Sequence, residues 1–442
     1  MLEKLFKRSK PEDLDETTPA IRFGRYSDNN KPVEKVAKWN EADALFKEKK
    51  YHQSIRTFFD YLTDDAEGNL VHQPDGDTAG TFLIYQGSQV VRGRYDAEKL
   101  EASTVLARMP QPSVPVMRRL LEINFKLYYS SFALDGEKLC MLFSSDIETA
   151  NPSKLYYGLK ELATRADKQD DLLVQDFTTL QAMDKDHVLG IPEEEKEVKY
   201  KWFQKWIRET LELIEGVDAD KYSGGIAYVL LALAYRIDFL IVPEGKLLLD
   251  LERIVETYFR KDNRPVPEKN GEMIECFQKM AGRTREQFMP YLFRSRYTFA
   301  IVSPQSYKSV GDAIYNANQN INWYKENKQA RIAALIAEYG FAYCQFTYSL
   351  PRPITEFFIL FMQVSYSGYF NDLGYNIKFT NEDGTYNQEA ITAEIARIQD
   401  AWKGKYGEMK FRTDRLKWDN AVAFNQSFTN EIESLNMETA NQ

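Results

Sequence analysis

The chain is poor in the residues that usually carry chemistry. It has three cysteines (Cys140, Cys276, Cys344) and three histidines (His52, His72, His187). The cysteines are odd in number and far apart, which excludes a disulfide framework and a Cys-x-x-Cys metal knuckle. A reducing cytoplasm is therefore the expected compartment. The histidines show no His-Glu-x-x-His spacing, and His52 reads as a surface residue of a helix. The phosphate-binding Gly-x-x-x-x-Gly-Lys loop and the dinucleotide Gly-x-Gly-x-x-Gly turn are both missing. Positive charge is short as well. A net charge of −9 and a pI near 5.3 leave no global basic field, so no nucleic-acid partner is expected. Residues 1–16 lack the apolar core of a signal peptide. The most apolar run, residues 225–242, is interrupted by Arg236 and Asp238. It falls short of the ~20 residues a membrane span needs and reads as a buried helix or helix–strand pair. Residues 354–366 are also too short to span.

Three local patterns come near to a site and miss. Residues 75–80 begin like a calcium loop, but Ala79 fills a ligand position and Gln86 stands where the bidentate glutamate belongs. Residues 381–384 place glycine fourth instead of sixth, so both segments read as polar turns. Cys140 lies between Leu139 and Met141 with no cation or histidine beside it, which points to a structural thiol. No catalytic, cofactor-binding or metal-binding residue is assigned, and no cofactor is expected.

Aromatic residues, in contrast, are plentiful at 14%, with 27 Tyr and 27 Phe. Together with 43% hydrophobic and 28% charged residues they indicate a folded chain with large aromatic cores or an aromatic contact face. A length of 442 residues suits two or three domains.

Residues 1–33 read as a flexible leader punctuated by Pro11, Pro19 and Pro32. Leu2, Leu5 and Phe6 beside Lys4, Lys7 and Arg8 compose a short basic amphipathic stretch of the kind that touches a membrane surface or a partner. Two turns do not hold a helix alone, so a frayed tail is expected. Residues 34–63 read as a helical hairpin with Ala42, Leu45 and Phe46 inward from the first helix and Tyr51, Ile55, Phe58 and Leu62 from the second. Its pattern of Ala42, Leu45, Tyr51, Ser54 and Phe58 resembles one tetratricopeptide repeat, without a second copy at the required period. From Thr81 the apolar period becomes two, broken at Gly87 and Gly93, and predicts two or three antiparallel strands. Residues 116–167 then read as helix, strand, Asp135-Gly136 turn, strand carrying Leu139, Met141 and Phe143, and a helix opened by Asn151-Pro152-Ser153.

The order from 34 to 169 is thus helix, strands, helix, two strands, helix. It resembles the type III secretion chaperones and the YbjN family. The matching residues are the helix end Leu120-Leu121-Glu122-Ile123-Asn124, the strand–turn–strand from Phe132 to Leu139, and the closing helix over 155–166. The resemblance covers about a third of the chain, and its motifs are packing motifs. It implies a dimeric, non-enzymatic protein that holds partner segments along sheet and helix surfaces.

Beyond it, 170–200 is a charged connector in which Pro192 opens a helix carrying Trp202, Trp206, Leu211 and Ile214. Residues 264–271 mark a boundary. The expected fold class is α+β: a chaperone-like antiparallel sheet with flanking helices, then a mainly helical C-terminal part. The expected division is a leader at 1–33, hairpin plus sheet domain at 34–185, helical connector at 186–263 and helical domain at 271–442. Helices over 388–403 and 415–435 close the chain. The Tyr-rich segment 339–375 offers either a partner interface or an aromatic core. The functional expectation is a cytoplasmic adaptor for a protein partner. Its alternatives are a scaffold subunit with the long helices and the segment 339–375 as interfaces, and an enzyme with a site built from distant carboxylates.

Overall fold

The computed structural model describes residues 19–183 and 187–439. The fold is α+β, with an eight-stranded antiparallel sheet flanked by helices, followed by a mostly helical region. The chain forms two compact units that are discontinuous in sequence. The first comprises Lys31–Gly190 and Phe293–Ile301; the second comprises 19–30, Ile191–Leu292 and 302–439.

The first unit opens with the expected hairpin, α1 (Val33–Lys47) and α2 (Tyr51–Leu62). Strands β1 (Leu70–Asp75), β2 (Ala79–Gly87), β3 (Gln89–Tyr95) and β4 (Lys99–Arg108) follow, then α3 (Val114–Asn124). Next come β5 (Ser130–Asp135), β6 (Lys138–Asp146) and α4 (Pro152–Asp176). The sheet runs β1-β2-β3-β4-β6-β5. Two short strands join off this path: β7 (Gln181–Ala182) pairs with β4, and β10 (Arg296–Tyr297) pairs with β2. A separate ribbon pairs β8 (Leu189–Gly190) with β9 (Phe293–Arg294).

Alternation decides which face of the sheet is buried. Phe82 and Ile84 on β2, Leu100 and Ala102 on β4, and Met141 and Phe143 on β6 point to one core. That core is closed by Phe58, Phe59 and Leu62 of α2 and by Leu155, Leu159 and Leu162 of α4. Two glycines are sterically required. At Gly87 φ is +56° and a Cβ would stand 2.1 Å from the Asp167 carboxylate of α4. That carboxylate accepts the Ser88 N–H at 2.7 Å, while Asp170 accepts from Ser88 Oγ at 2.9 Å and from Gln89 Nε2 at 2.6 Å, so α4 clasps the β2–β3 turn. At Gly93 a Cβ would lie 2.0 Å from the Phe82 ring on the neighbouring strand. The helix expected to close at 166 therefore continues to Asp176, with Asp167 and Asp170 on the turn and Leu173 in the core.

The segment 293–301 is held in this unit by a buried glutamine. Gln86 Oε1 accepts the N–H groups of Thr298 and Phe299 at 3.3 and 3.0 Å, and Gln86 Nε2 donates to the Phe299 carbonyl at 3.2 Å. Arg296 lies 3.4 Å over the Tyr85 ring.

The second unit contains α5 (Glu193–Glu215), α6 (Ser223–Arg236), α7 (Gly245–Phe259), α8 (Val266–Ala281), α9 (Arg285–Phe288) and α10 (Tyr307–Asn318). It continues with α11 (Ile321–Glu326), α12 (Ala330–Thr347), α13 (Arg352–Ser365), α14 (Ser367–Asp372), α15 (Gln388–Trp402) and α16 (Ala421–Glu433). Pro192, expected at the first helical position, stands instead at the N-cap of α5, one position earlier, with Glu193, Glu194 and Glu195 in the first turn. The apolar run becomes α6 and a π-helical turn, Ile237–Ile241. Ser223–Ile241 is long and apolar enough to cross a membrane, and 89% of it is buried inside the fold. Its two charges are paired: Arg236 Nε donates to Glu338 at 2.8 Å, and Asp238 accepts from Arg25 at 2.7 Å.

The chain does not divide where the composition suggested. Residues 19–30, expected in the leader, belong to the second unit; Phe23 packs on Tyr369 and Phe370, and Ser27 Oγ donates to the Leu350 carbonyl at 2.6 Å. The rest of the expected leader, 1–18, lies outside the described residues. The expected boundary at 264–271 is the start of α8 within the second unit, with Lys269 and Asn270 buried. Pro265 and Pro267 mark a helix start there, a role proline fills as well as it fills a linker.

Candidate functional site

The groups that would make chemistry are engaged in structure. His52 Nε2 donates to the Asp96 carbonyl at 3.0 Å, His72 Nε2 meets Tyr95 Oη at 3.0 Å, and His187 Nε2 donates to the Ser88 carbonyl at 2.9 Å. Among the described residues no group of three or more His, Cys, Asp or Glu could hold a metal ion. Burial pushes the thiols of Cys140, Cys276 and Cys344 up, away from the thiolate form. Residues 75–80 form the β1–β2 hairpin turn, with Gly76 at φ +63°. Residues 381–384 form a turn closed by Gly384 N–H donating to the Asn381 carbonyl.

The fully buried carboxylates each have partners. Glu195 pairs with Lys199 at 2.9 Å, Glu431 with Arg412 at 2.8 Å, and Asp238 and Glu244 both with Arg25. Asp170 holds the β2–β3 turn. Glu338 takes Arg236 and also the Tyr366 hydroxyl, while the Arg236 guanidinium stacks 4.3 Å from the Tyr366 ring centre. The Tyr-rich segment is consumed the same way. Phe341, Phe357, Phe358, Phe361, Tyr369 and Phe370 are in the core of the second unit, and no large exposed apolar residue falls within 339–375.

The unusual surface is on the first unit. Helix α3 buries Val116 and Leu120 on one side. At 100° per residue, Val114, Arg118, Leu121 and Phe125 fall together on the opposite side. There Val114 is 73%, Leu121 67% and Phe125 94% exposed. Tyr128, in the link from α3 to β5, is 89% exposed, and Tyr129 and the α4 residue Tyr157 are also exposed. A shallow groove of about 470 Å3 follows the flank of α3, lined by Val114, Pro115, Arg118, Arg119 and Glu122.

This surface is not a loose loop. Phe125 N–H donates to Leu121 O, Lys126 N–H to Ile123 O, and Leu127 N–H to Asn124 O. The Glu161 carboxylate of α4 accepts the N–H groups of Tyr128, Tyr129 and Ser130 at 2.9, 2.8 and 2.8 Å, and the Ser130 hydroxyl at 2.8 Å. Burial works to raise the Glu161 carboxyl, but these four donors outweigh it and hold it below the usual carboxylate range. Asn124 Oδ1 accepts the Phe132 N–H at 2.9 Å, which fixes the start of β5 to the end of α3. Aromatic side chains are therefore held out in solvent by a locked backbone.

The sequence carried a signal for this surface. Helix α3 has two apolar stripes, Val116/Leu120 and Val114/Leu121/Phe125, and one helix face suffices for a core. No family model matches the chain, and no curated protein matches it.

Proposed function

We propose that this chain is a non-enzymatic, cytoplasmic adaptor that binds a segment of another protein on the exposed face of α3 and the link that follows it. The carrying observation is the set Leu121, Phe125 and Tyr128, which stands in solvent on a rigid frame. Large apolar side chains clustered on an ordered surface mark binding sites, whereas single exposed ones need no explanation. A frame held by Glu161 and Asn124 also removes much of the ordering cost a partner would otherwise meet. The succession α2, β2–β4, α3, β5–β6, α4 supports the reading, because it is the order on which the likeness to secretion chaperones rests. The scaffold reading placed its interfaces on the long helices and the Tyr-rich segment; within that segment Phe341, Phe357, Phe358, Phe361, Tyr369 and Phe370 are used in the protein's own core.

The test compares the tagged chain with a Phe125→Ser/Tyr128→Ser variant in parallel affinity purifications, with eluates sized by light scattering. A stoichiometric protein that copurifies with the first and is lost from the second is expected. Identical eluates from both would overturn the proposal.

A further inference from the structure

Resting on that reading, we infer that the bound segment is an acidic amphipathic helix lying along α3, with its apolar side on Leu121, Phe125 and Tyr128 and its carboxylates on Arg118 and Lys126. Peptide segments dock on folded domains by adding a strand, by laying a helix in a groove, or as a polyproline helix between aromatic ridges.

Strand addition needs an open edge. Strand β5 is one end of the sheet, but where it leaves the α3–β5 link the N–H groups of Ser130 and Phe132 are already taken by Glu161 and Asn124. Side-chain acceptors blunt the edge as protective devices do elsewhere. Polyproline docking needs packed aromatic walls. The Phe125 and Tyr128 rings, at 94% and 89% exposure, are not packed into such walls. A helix fits what remains. From Val114 to Phe125 the stripe is about 16 Å long, three turns of a partner helix carrying apolar residues at i, i+3 or i+4, and i+7.

Charge selects the kind of helix. Arg118, Arg119 and Lys126 are exposed here; of the acids, Glu122 approaches Arg119 at 3.7 Å and Glu161 is tied to the Tyr128, Tyr129 and Ser130 N–H groups. The surface is locally basic within a chain of net charge −9. Opposite charge steers and orients an acidic segment toward it. A two-fold pairing of α3 with a second copy would gather Arg118 and Arg119 from both copies into one interface, which like-charge repulsion opposes.

The experiment is a selection on the full chain from a display library of peptides about 18 residues long and unbiased in charge, with counter-selection on Phe125→Ser/Tyr128→Ser. Enriched peptides should be acidic with helical apolar spacing. Fluorescence anisotropy should show about tenfold weaker binding to Arg118→Glu/Lys126→Glu, with recovery when the peptide's acids become lysines. Neutral, basic or proline-rich winners, or winners indifferent to the charge reversal, would overturn this inference while leaving the binding surface standing. No peptide surviving counter-selection would remove the binding surface as well. A dimer in sedimentation that dissociates in Phe125→Ser/Tyr128→Ser would assign the face to a second copy and overturn the inference.

Discussion

Replacing Phe125 with serine separates a docking residue from a packing residue. Full burial of a phenylalanine side chain is worth about 1.5–3 kcal/mol. Phe125 keeps 94% of its surface in water, so folding uses only about a twentieth of that value, on the order of 0.1 kcal/mol. Phe59 is the internal control. It is 0% exposed and packs 4.6 Å from the Phe82 ring centre, so Phe59→Ala should cost about 3–5 kcal/mol. The two units need not unfold together, so a whole-chain midpoint would blur the comparison. Hydrogen exchange with mass spectrometry across a urea series avoids this, because peptides from β2–β4 report the first unit and those from α6 the second. Phe125→Ser should leave the β2–β4 transition in place while abolishing partner binding. Phe59→Ala should move that transition far to lower urea and leave α6 unaffected. A Phe125→Ser loss above about 1 kcal/mol in β2–β4 would mean that the ring is packed, and would refute the docking surface.

Gly87→Ala should destabilise the first unit by about 2 kcal/mol or more, since it forces alanine to φ +56° and into Asp167; an unchanged urea midpoint for β2–β4 would contradict the clasp. Glu338→Leu should cost the second unit about 3–5 kcal/mol by leaving Arg236 buried and unpaired, and adding Arg236→Met should recover most of it. Equal losses in the single and double variants, read by exchange in α6, would show that the pair is not the cause. The Glu161 carboxyl is depressed in the folded state, so its contribution is complete above the ordinary value of about 4.3 and is lost as pH falls through the lower folded value. Protection of the Tyr128–Ser130 amides, taken relative to their intrinsic exchange rate at each pH, should therefore fall on acidification, and Glu161→Gln should flatten that dependence.

Much of the sheet was legible because one of its faces is buried. Alternation of Phe82 and Ile84 with Thr81 and Leu83 announces β2, and the Asp135-Gly136 turn announces the β5–β6 hairpin. Strand β1 was not legible: its sequence, Leu-Val-His-Gln-Pro-Asp, is mostly polar, and Pro74 is tolerated only because β1 is an edge. Strand β10 has two residues and is recruited through Gln86 and Thr298 from far along the chain, a tertiary effect that no local window contains. The division into discontinuous units follows from the same recruitment.

The docking surface sits between these extremes. The periodicity that correctly sends Phe357, Phe358 and Phe361 inward would also send Leu121 and Phe125 inward. It does not, because Val116 and Leu120 already occupy the core-facing side of α3, and Asn124 and Glu161 hold the following link away from the core. A helix with two apolar stripes has one more than its own unit can cover. If the second stripe were only tolerated, the chain would have little reason to fix three consecutive main-chain N–H groups beneath it on a single carboxylate. The rigidity of the link, more than the exposure of its rings, is what separates a built surface from an accidental one.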